Sequence, residues 1–234
     1  MNARGADSMP SSPLIVTLDG PAGAGKSTVA RMLAVALGIP YLDSGAMFRR
    51  VALELHGNAD IGEHALHRIC AGLHFTLSAR NGESRLLCNG VPVGDEVRTE
   101  EAGLWASRVA GNPVVREVLK QAQRAVGAHS SLVAEGRDMG TAVFPDALCK
   151  FFLDASPEVR ARRRLKEMEA RGERHTLAEL AAGIRERDTR DQERALAPLR
   201  PADDALIVDS SELDVEGVLA VLTAHIARIC PPRV

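Results

Sequence analysis

Aromatic residues are scarce: one Trp, one Tyr and five Phe in 234 residues. Surfaces that stack single-stranded bases need exposed rings, so this scarcity argues against that mode of nucleic-acid binding. A basic excess is missing as well. The formal net charge is −2, which argues against electrostatic capture of nucleic acid or anionic membrane. No apolar run approaches the roughly 20 residues of a membrane span. Residues 1–13 are polar, rich in Ser and Pro, and without the apolar stretch of a signal peptide; disorder is expected there. Cys70, Cys88, Cys149 and Cys230 show no C-x-x-C spacing and are too few for a disulfide framework, so a reducing cytoplasm is the expected compartment. The seven histidines show no ligand pairing; His64 and His67, three apart, read as solvated helix surface. The fold is therefore expected to need no metal.

Apolar residues at 45% and charged residues at 26% are ordinary globular values, which excludes wholesale disorder. Lys26, Lys120, Lys150 and Lys166 are the only lysines among 29 cationic side chains. An arginine preference suits bidentate phosphate recognition, but a GC-rich coding bias gives the same count, so position has to decide.

Short, continuously apolar runs mark buried strands: Leu14–Leu18, Leu132–Ala134, Leu148–Leu153 and Leu206–Val208. Continuous apolarity is what a parallel sheet covered on both faces requires. Between them lie helical patterns. Val29, Met32, Leu33, Ala36 and Leu37 share one face, and Gly38 supplies the stop. Asn112-Pro113 and Ser156-Pro157 each pair a cap with a first-turn proline, the former opening a helix through about Gly127, and Thr176 caps another. Strand alternating with helix predicts an α/β fold with a central parallel sheet flanked by helices. One stretch departs from it: Leu73–Leu77, Arg85–Asn89 and Val91–Val93, with turns at Asn81-Gly82 and Asn89-Gly90, predict a small antiparallel insert.

Gly20-Pro21-Ala22-Gly23-Ala24-Gly25-Lys26-Ser27 matches G-x-x-x-x-G-K-[ST], directly after a strand and at the head of a helix. Glycines let backbone N–H groups wrap a phosphate, and the helix N-terminus adds partial positive charge. This predicts an ATP site: Lys26 bridging the β- and γ-phosphates, Ser27 offering its hydroxyl to Mg²⁺, and Thr28 completing the loop. No N-K-x-D guanine clamp is present, and Asp154 is followed by Ala155 rather than Glu, so neither a GTPase switch nor a motor ATPase is indicated. Kinases of small molecules and nucleotides remain. Two other readings stay open: a kinase of a different nucleoside monophosphate or of a metabolite alcohol, the latter needing Asp43 or Asp138 as base, and a nucleotide-gated binding protein using the arginines of 160–174 on nucleic acid.

Beyond the loop, the chain resembles bacterial cytidylate kinases, members of the nucleoside monophosphate kinase family. The resemblance runs from about Leu14 to about Ala227. It is carried by Leu18-Asp19-Gly20-Pro21, Leu42-Asp43-Ser44-Gly45-Ala46, Glu135 through Thr141, Val143 through Ala147, Phe152 through Ser156, and Arg187-Asp188 followed by Arg190-Asp191. It implies transfer of the γ-phosphoryl group of ATP to CMP or dCMP, with Mg²⁺, by a P-loop kinase. The scarcity of aromatics makes a monomer the default expectation. By this resemblance Ser44, Arg116, Asp138 and Arg194 contact cytosine, Arg49 and Arg137 hold the acceptor phosphate, and Ser107, Arg187 and Asp191 lie near the ribose. It also implies a core of about 14–44 and 115–230, a monophosphate-binding insert of about 45–114 and a helical lid of about 160–175. Phe48 stands where Tyr is frequent in the family, and Glu135 where Asp is.

The chemistry is consistent with that implication. Cytosine offers an amine donor beside an acceptor, an edge that Asp138 with Arg116 or Arg194 can read; uracil would set oxygen against oxygen. The acceptor phosphate, with a pKa near 6, is already an anion at neutral pH and needs no general base. Catalysis then rests on alignment and charge neutralisation by Lys26, Arg137 and lid arginines, of which Arg163 and Arg164 are the candidates. Arg162, Arg163 and Arg164 cannot all point one way, since helix neighbours are about 100° apart. Arg187 with Asp191 also fits a salt-bridged helix face.

Overall fold

The computed structural model describes residues 13–56, 58, 60–80, 83–128, 130–170 and 172–230. The expected disordered start (residues 1–12 of it), the Asn81-Gly82 turn and Arg171 of the expected lid lie outside these. In chain order the elements are β1 (Ile15–Asp19), α1 (Lys26–Leu37), β2 (Tyr41–Asp43), α2 (Ser44–Glu54), α3 (Glu63–Ala71), β3 (Phe75–Arg80), β4 (Glu83–Cys88) and β5 (Val91–Pro92). They continue with α4 (Glu100–Val109), α5 (Pro113–Gly127), β6 (Leu132–Glu135), β7 (Cys149–Asp154), α6 (Pro157–Glu169), α7 (Leu177–Glu193), β8 (Leu206–Asp209) and α8 (Val215–Ile229). A single 3-10 turn precedes α4, and a π-helical turn, Met139–Val143, follows β6.

Five strands form one parallel sheet in the order β2-β6-β1-β7-β8. The apolar runs of the central strands β1, β6 and β7 are buried on both faces, as a doubly covered sheet demands: Val16, Leu18, Leu132, Val133 and Leu153 have no exposed surface, whereas Leu148 ahead of β7 and Ile207 on the edge strand β8 are exposed. Leu18 pairs with Glu135 on one side and with Phe151 on the other. The strand order reverses around β1, so the loops after β1 and β6 open into one crevice at the carboxyl edge, where such sheets bind ligands.

The strand β2 was not among the expected ones. Three residues are too few to show a period, and its N-terminal residue is held sideways: Ser84 Oγ on β4 accepts the Tyr41 backbone N–H at 2.8 Å. The helix signals hold. Asn112 Oδ1 accepts from Val114 N at 2.9 Å ahead of Pro113, Ser156 Oγ accepts from Val159 N, and Thr176 with Glu179 forms a reciprocal capping box. Gly38 ends α1 at φ 65°.

The insert forms the antiparallel sheet β3-β4-β5. Its strands are displaced from the expected spans because Phe75 pairs with Cys88 and Arg80 with Glu83. Asn89 (φ 53°) and Gly90 (φ 79°) make the tight turn expected of them. Phe75 and Cys88 bury into the same cluster as Leu42, Leu119 and Leu132, so the insert shares a core with the large sheet.

Arg160 fixes the arginine-dense helix α6. It is 3% exposed, and its guanidinium donates to Ala155 O at 2.8 Å, Ala22 O at 3.1 Å and both carboxylate oxygens of Asp188 at 3.0 and 2.5 Å. One side chain thus ties α6 to α7 and to the glycine-rich loop. Among the described residues no helix is long and apolar enough to cross a membrane.

Removing one member of a buried pair strands the other's charge. Asp188→Ala is therefore expected to cost about 3–5 kcal/mol of stability. Arg190→Ala, whose partner Glu186 lies on the open face of α7, is expected to stay within about 0.5 kcal/mol. Urea unfolding midpoints of the two variants check the contrast.

Candidate active site

The loop between β1 and α1 depends on glycine where the backbone demands it. A Cβ at Gly20 would lie 2.0 Å from the Leu153 carbonyl oxygen on β7, and Gly20 has φ 144°. Lys26 opens α1, is 4% exposed and donates from Nζ to Pro21 O at 2.7 Å. Burial, then the charge of Arg137, pulls its ammonium down to about 7, against the opposing pull of Glu135 and Asp19. Ser27 Oγ donates to Glu135 Oε1 at 2.7 Å, while Thr28 lies exposed in the first turn. Pro21 and Ala24 are buried, and Ala22, Gly23 and Gly25 are at least partly open to solvent.

Two carboxylates missed as site residues by the residue-level reading sit at the strand ends. Asp19 ends β1 and accepts from Met139 N at 2.8 Å and Gly140 N at 2.7 Å. Burial lifts its carboxyl to about 7 in spite of those two bonds. It thereby clamps the π turn that follows Arg137 and Asp138. Gly140 permits the approach: a Cβ there would stand 2.9 Å from Thr17 Oγ1. Glu135 ends β6 and takes hydrogen bonds from Ser27 and Tyr41. The available signal was common to both: an acid closing an apolar strand.

Several residues expected to bind the acceptor lie close together. Asp138, 3% exposed, pairs with Arg116 and has Arg194 Nη2 3.9 Å away. Arg116 also donates to Ala110 O at 3.1 Å, and its Cζ lies 5.6 Å above the Phe48 ring. Phe48 thus holds Arg116 through its face, for which no hydroxyl is needed. Arg137 turns away from Asp138: its Nε donates to Asp191 Oδ2 at 3.2 Å. Asp191 therefore pairs across to the loop after β6 rather than along its own helix with Arg187. Arg49 Nη2 stands 3.6 Å from Asp43 Oδ1, and Ser44 Oγ donates to Glu135 O at 2.6 Å.

Several of these side chains keep unused hydrogen-bonding capacity. Arg49 Nε, Arg187 Nε, Arg194 Nη2 and Ser107 Oγ are buried atoms without a partner. Arg187 is pulled down to about 10 by burial and then by Arg137, with Arg49 and Arg164 adding to it. Arg194 is lowered by burial and then by Arg116. Buried donors are normally satisfied, so donors left open among crowded cations define a place for an anion.

The two arginines expected to act from a lid diverge. Arg163 donates to Ser210 Oγ at 3.1 Å, Ser210 O at 2.5 Å and Ala24 O at 3.4 Å, behind the loop. Arg164 pairs with Glu100 at the head of α4 and with Glu167. Arg162 is exposed.

Residues 16–228 match the family model described as cytidylate kinase. The chain belongs to the cytidylate kinase family. A cytidylate kinase from Nitratidesulfovibrio vulgaris is 56% identical over 218 residues, covering 93% of this chain and 94% of that one. One from Pseudomonas aeruginosa is 47% identical over 218 residues, covering 92% and 95%. Among solved structures, an uncharacterized protein from Eubacterium ventriosum superposes with a TM-score of 0.50 at 14% identity, covering 92% of this chain and 98% of that chain, a likeness of fold alone. As a member of the cytidylate kinase family, the protein is a nucleoside monophosphate kinase with a P-loop kinase fold.

The buried Lys26 carries a stability cost with a defined pH window. Its folded pKa lies below its unfolded value, so the destabilisation is full below about pH 7 and fades as pH rises towards 10.5. Lys26→Met is expected to raise the ligand-free melting temperature at pH 6 by roughly 3–6 °C. That advantage should shrink progressively to pH 10. Thermal melts of both proteins across this range check the sign.

Proposed function

We propose that the protein transfers the γ-phosphoryl group of ATP to CMP and dCMP by direct in-line displacement with Mg²⁺, giving the diphosphates and ADP. The observation that carries this reading is Asp138, buried and held by Arg116 with Arg194 beside it, next to guanidinium groups with unused donors. The carboxylate suits the cytosine amine, and the flanking arginines suit the ring acceptor beside it. Uracil presents a carbonyl there instead, leaving a buried polar mismatch.

Arg49 and Arg137 are assigned to the acceptor phosphate. Arg187, expected near the ribose with Ser107 and Asp191, has its charge beside Arg137 and Arg49 and its Nε unpartnered, so it serves the phosphate too. Ser44 is assigned to the base. The loop 20–25 with Lys26, Ser27 and Thr28 holds the triphosphate. No side chain is assigned as a base, because the attacking phosphate oxygen is already anionic.

Ser27 Oγ, bonded to Glu135, offers an oxygen ligand suited to a hard cation. Among the described residues no group of three or more His, Cys, Asp or Glu converges, so such a cation draws most of its ligands from the nucleotide. When bound, Mg²⁺ neutralises the phosphate charge that develops during transfer.

In this reading residues 45–114 are the monophosphate-binding insert of a single kinase domain, 14–234. Residues 160–175 are the cover that excludes water, with Arg160 its fixed end; Arg163 backs the loop and Arg164 faces the insert. The enzyme works as a cytoplasmic monomer without nucleic acid or membrane.

The test is ADP formation from ATP and Mg²⁺ with CMP, dCMP, UMP, AMP, GMP and shikimate. Turnover is expected with CMP and dCMP, and kcat/KM for UMP roughly 5- to 150-fold lower, the worth of one unpaired polar group. Asp138→Asn, whose amide can donate to uracil, is expected to narrow that gap while lowering CMP turnover. Equal rates for CMP and UMP in the wild type would sink the Asp138 assignment.

A further inference from the structure

Tyr41 is the only tyrosine in the chain. It opens β2, is 8% exposed, and its hydroxyl donates to Glu135 Oε2 at 2.5 Å. The other oxygen of the same carboxylate, Oε1, accepts from Ser27 Oγ at 2.7 Å. Three side chains from β2, β6 and α1 thus form one chain of hydrogen bonds ending in the phosphate loop.

The direction of donation along this chain is fixed by chemistry. Burial first, then the charges of Glu135 and Asp43, pushes the Tyr41 hydroxyl well above its ordinary ionisation range, so it stays a donor. Glu135 accepts at both oxygens. The Ser27 proton is therefore committed to Glu135, and the lone pairs of the Ser27 oxygen are left for a hard cation.

Glu135 also has a competitor for its charge. Lys26 is next to Ser27 in sequence, and Glu135 acts on its ammonium electrostatically. A glutamate has one more rotatable bond than an aspartate. Held only by Ser27, it would be free to turn towards Lys26, taking the ammonium from the phosphates and releasing the hydroxyl. Tyr41 prevents that turn. It is itself restrained on two further sides: its N–H donates to Ser84 Oγ at 2.8 Å, and Arg31 Cζ lies 5.6 Å over its ring. Arg31 is one turn beyond Ser27 on α1, so the same helix face that presents the hydroxyl also packs the ring.

We propose that Tyr41 is a positioning residue for the divalent-cation site, acting through Glu135 to aim the Ser27 hydroxyl. This rests on the reading that a metal-bound nucleotide occupies the loop. The probe is Mn²⁺ with ADP, followed by the electron paramagnetic resonance of free Mn²⁺, which requires no turnover. Tyr41→Phe is expected to weaken Mn²⁺ binding in the presence of ADP about tenfold, the low end for loss of an outer-shell partner. ADP binding without metal and the KM for CMP at saturating Mg²⁺ should stay unchanged. In the wild type, the near-ultraviolet absorption of the single tyrosine should shift when Mg²⁺ and ADP are added together and not with ADP alone. That second measurement needs no variant.

Equal Mn²⁺ affinity in wild type and Tyr41→Phe, or an equal loss of metal-free ADP binding, would overturn the proposal. So would a tyrosine spectrum indifferent to the metal. A Tyr41-dependent Mn²⁺ site in a protein that does not phosphorylate CMP would retain the proposal and overturn the acceptor assignment. A wild type that binds no Mn²⁺ with ADP would overturn both the proposal and the reading that a metal-bound nucleotide occupies the loop.

Discussion

Lys26 is buried beside Arg137 and Arg187 with its ammonium pulled down to about 7, and much of the architecture around it is a response to that crowding. Like charges in a low-dielectric crevice repel strongly, so without an anion the arrangement costs stability. The cost is limited by acids at the carboxyl ends of three adjacent strands. Asp19 closes β1, Asp43 closes β2 and Glu135 closes β6. A parallel sheet puts all its strand ends of one sense at one edge, which is how residues so distant in sequence face a single group of cations.

These acids do more than balance charge. Each also holds backbone or side chains that a substrate must find in place. Asp19 grips the two amides after Asp138, Asp43 accepts the Ala46 N–H and so caps α2, and Glu135 fixes Ser27. Using carboxylates as braces links the electrostatics to the geometry: changing Asp19 or Glu135 alters both the field at Lys26 and the groups each one holds. The unpartnered donors on Arg49, Arg187 and Arg194 are the remainder, the part of the crowding that protein groups leave unanswered.

The sheet, the phosphate loop and most helix starts were legible because their signals are local. A strand of continuous apolarity, a proline after a cap or a glycine at positive φ needs only neighbouring residues to be read. The short strand β2 was not legible, since three residues carry no period and its placement depends on Ser84, 43 positions later. The partners of the arginines were not legible for the same reason. Spacing along α7 also fitted a pair of Arg187 with Asp191, but the fold gives Asp191 a partner in Arg137, in the loop after β6. Arg160 looked like one arginine among several in a mobile helix; only the approach of α7 reveals Asp188 beneath it. Asp19 and Glu135 were visible as strand-end acids, yet what they hold is set by chain more than 100 residues away.

Arg160 and Arg164 show how one helix can be both fixed and responsive. They are four residues apart on α6 and so lie on the same side of it, one turn apart. Arg160 is sealed against Asp188 and the loop carbonyl of Ala22, a set of partners that solvent cannot replace. Arg164 is more than a quarter exposed and meets Glu100, which is over half exposed and belongs to the chain segment holding the insert. An exposed pair contributes little and exchanges readily, while the buried fork holds its geometry. Helix α6 is thereby anchored beside the glycine-rich loop and only lightly attached at Glu100. A displacement of Glu100 releases Arg164 beside Arg187 and leaves more of its positive charge uncompensated there, without disturbing the anchor.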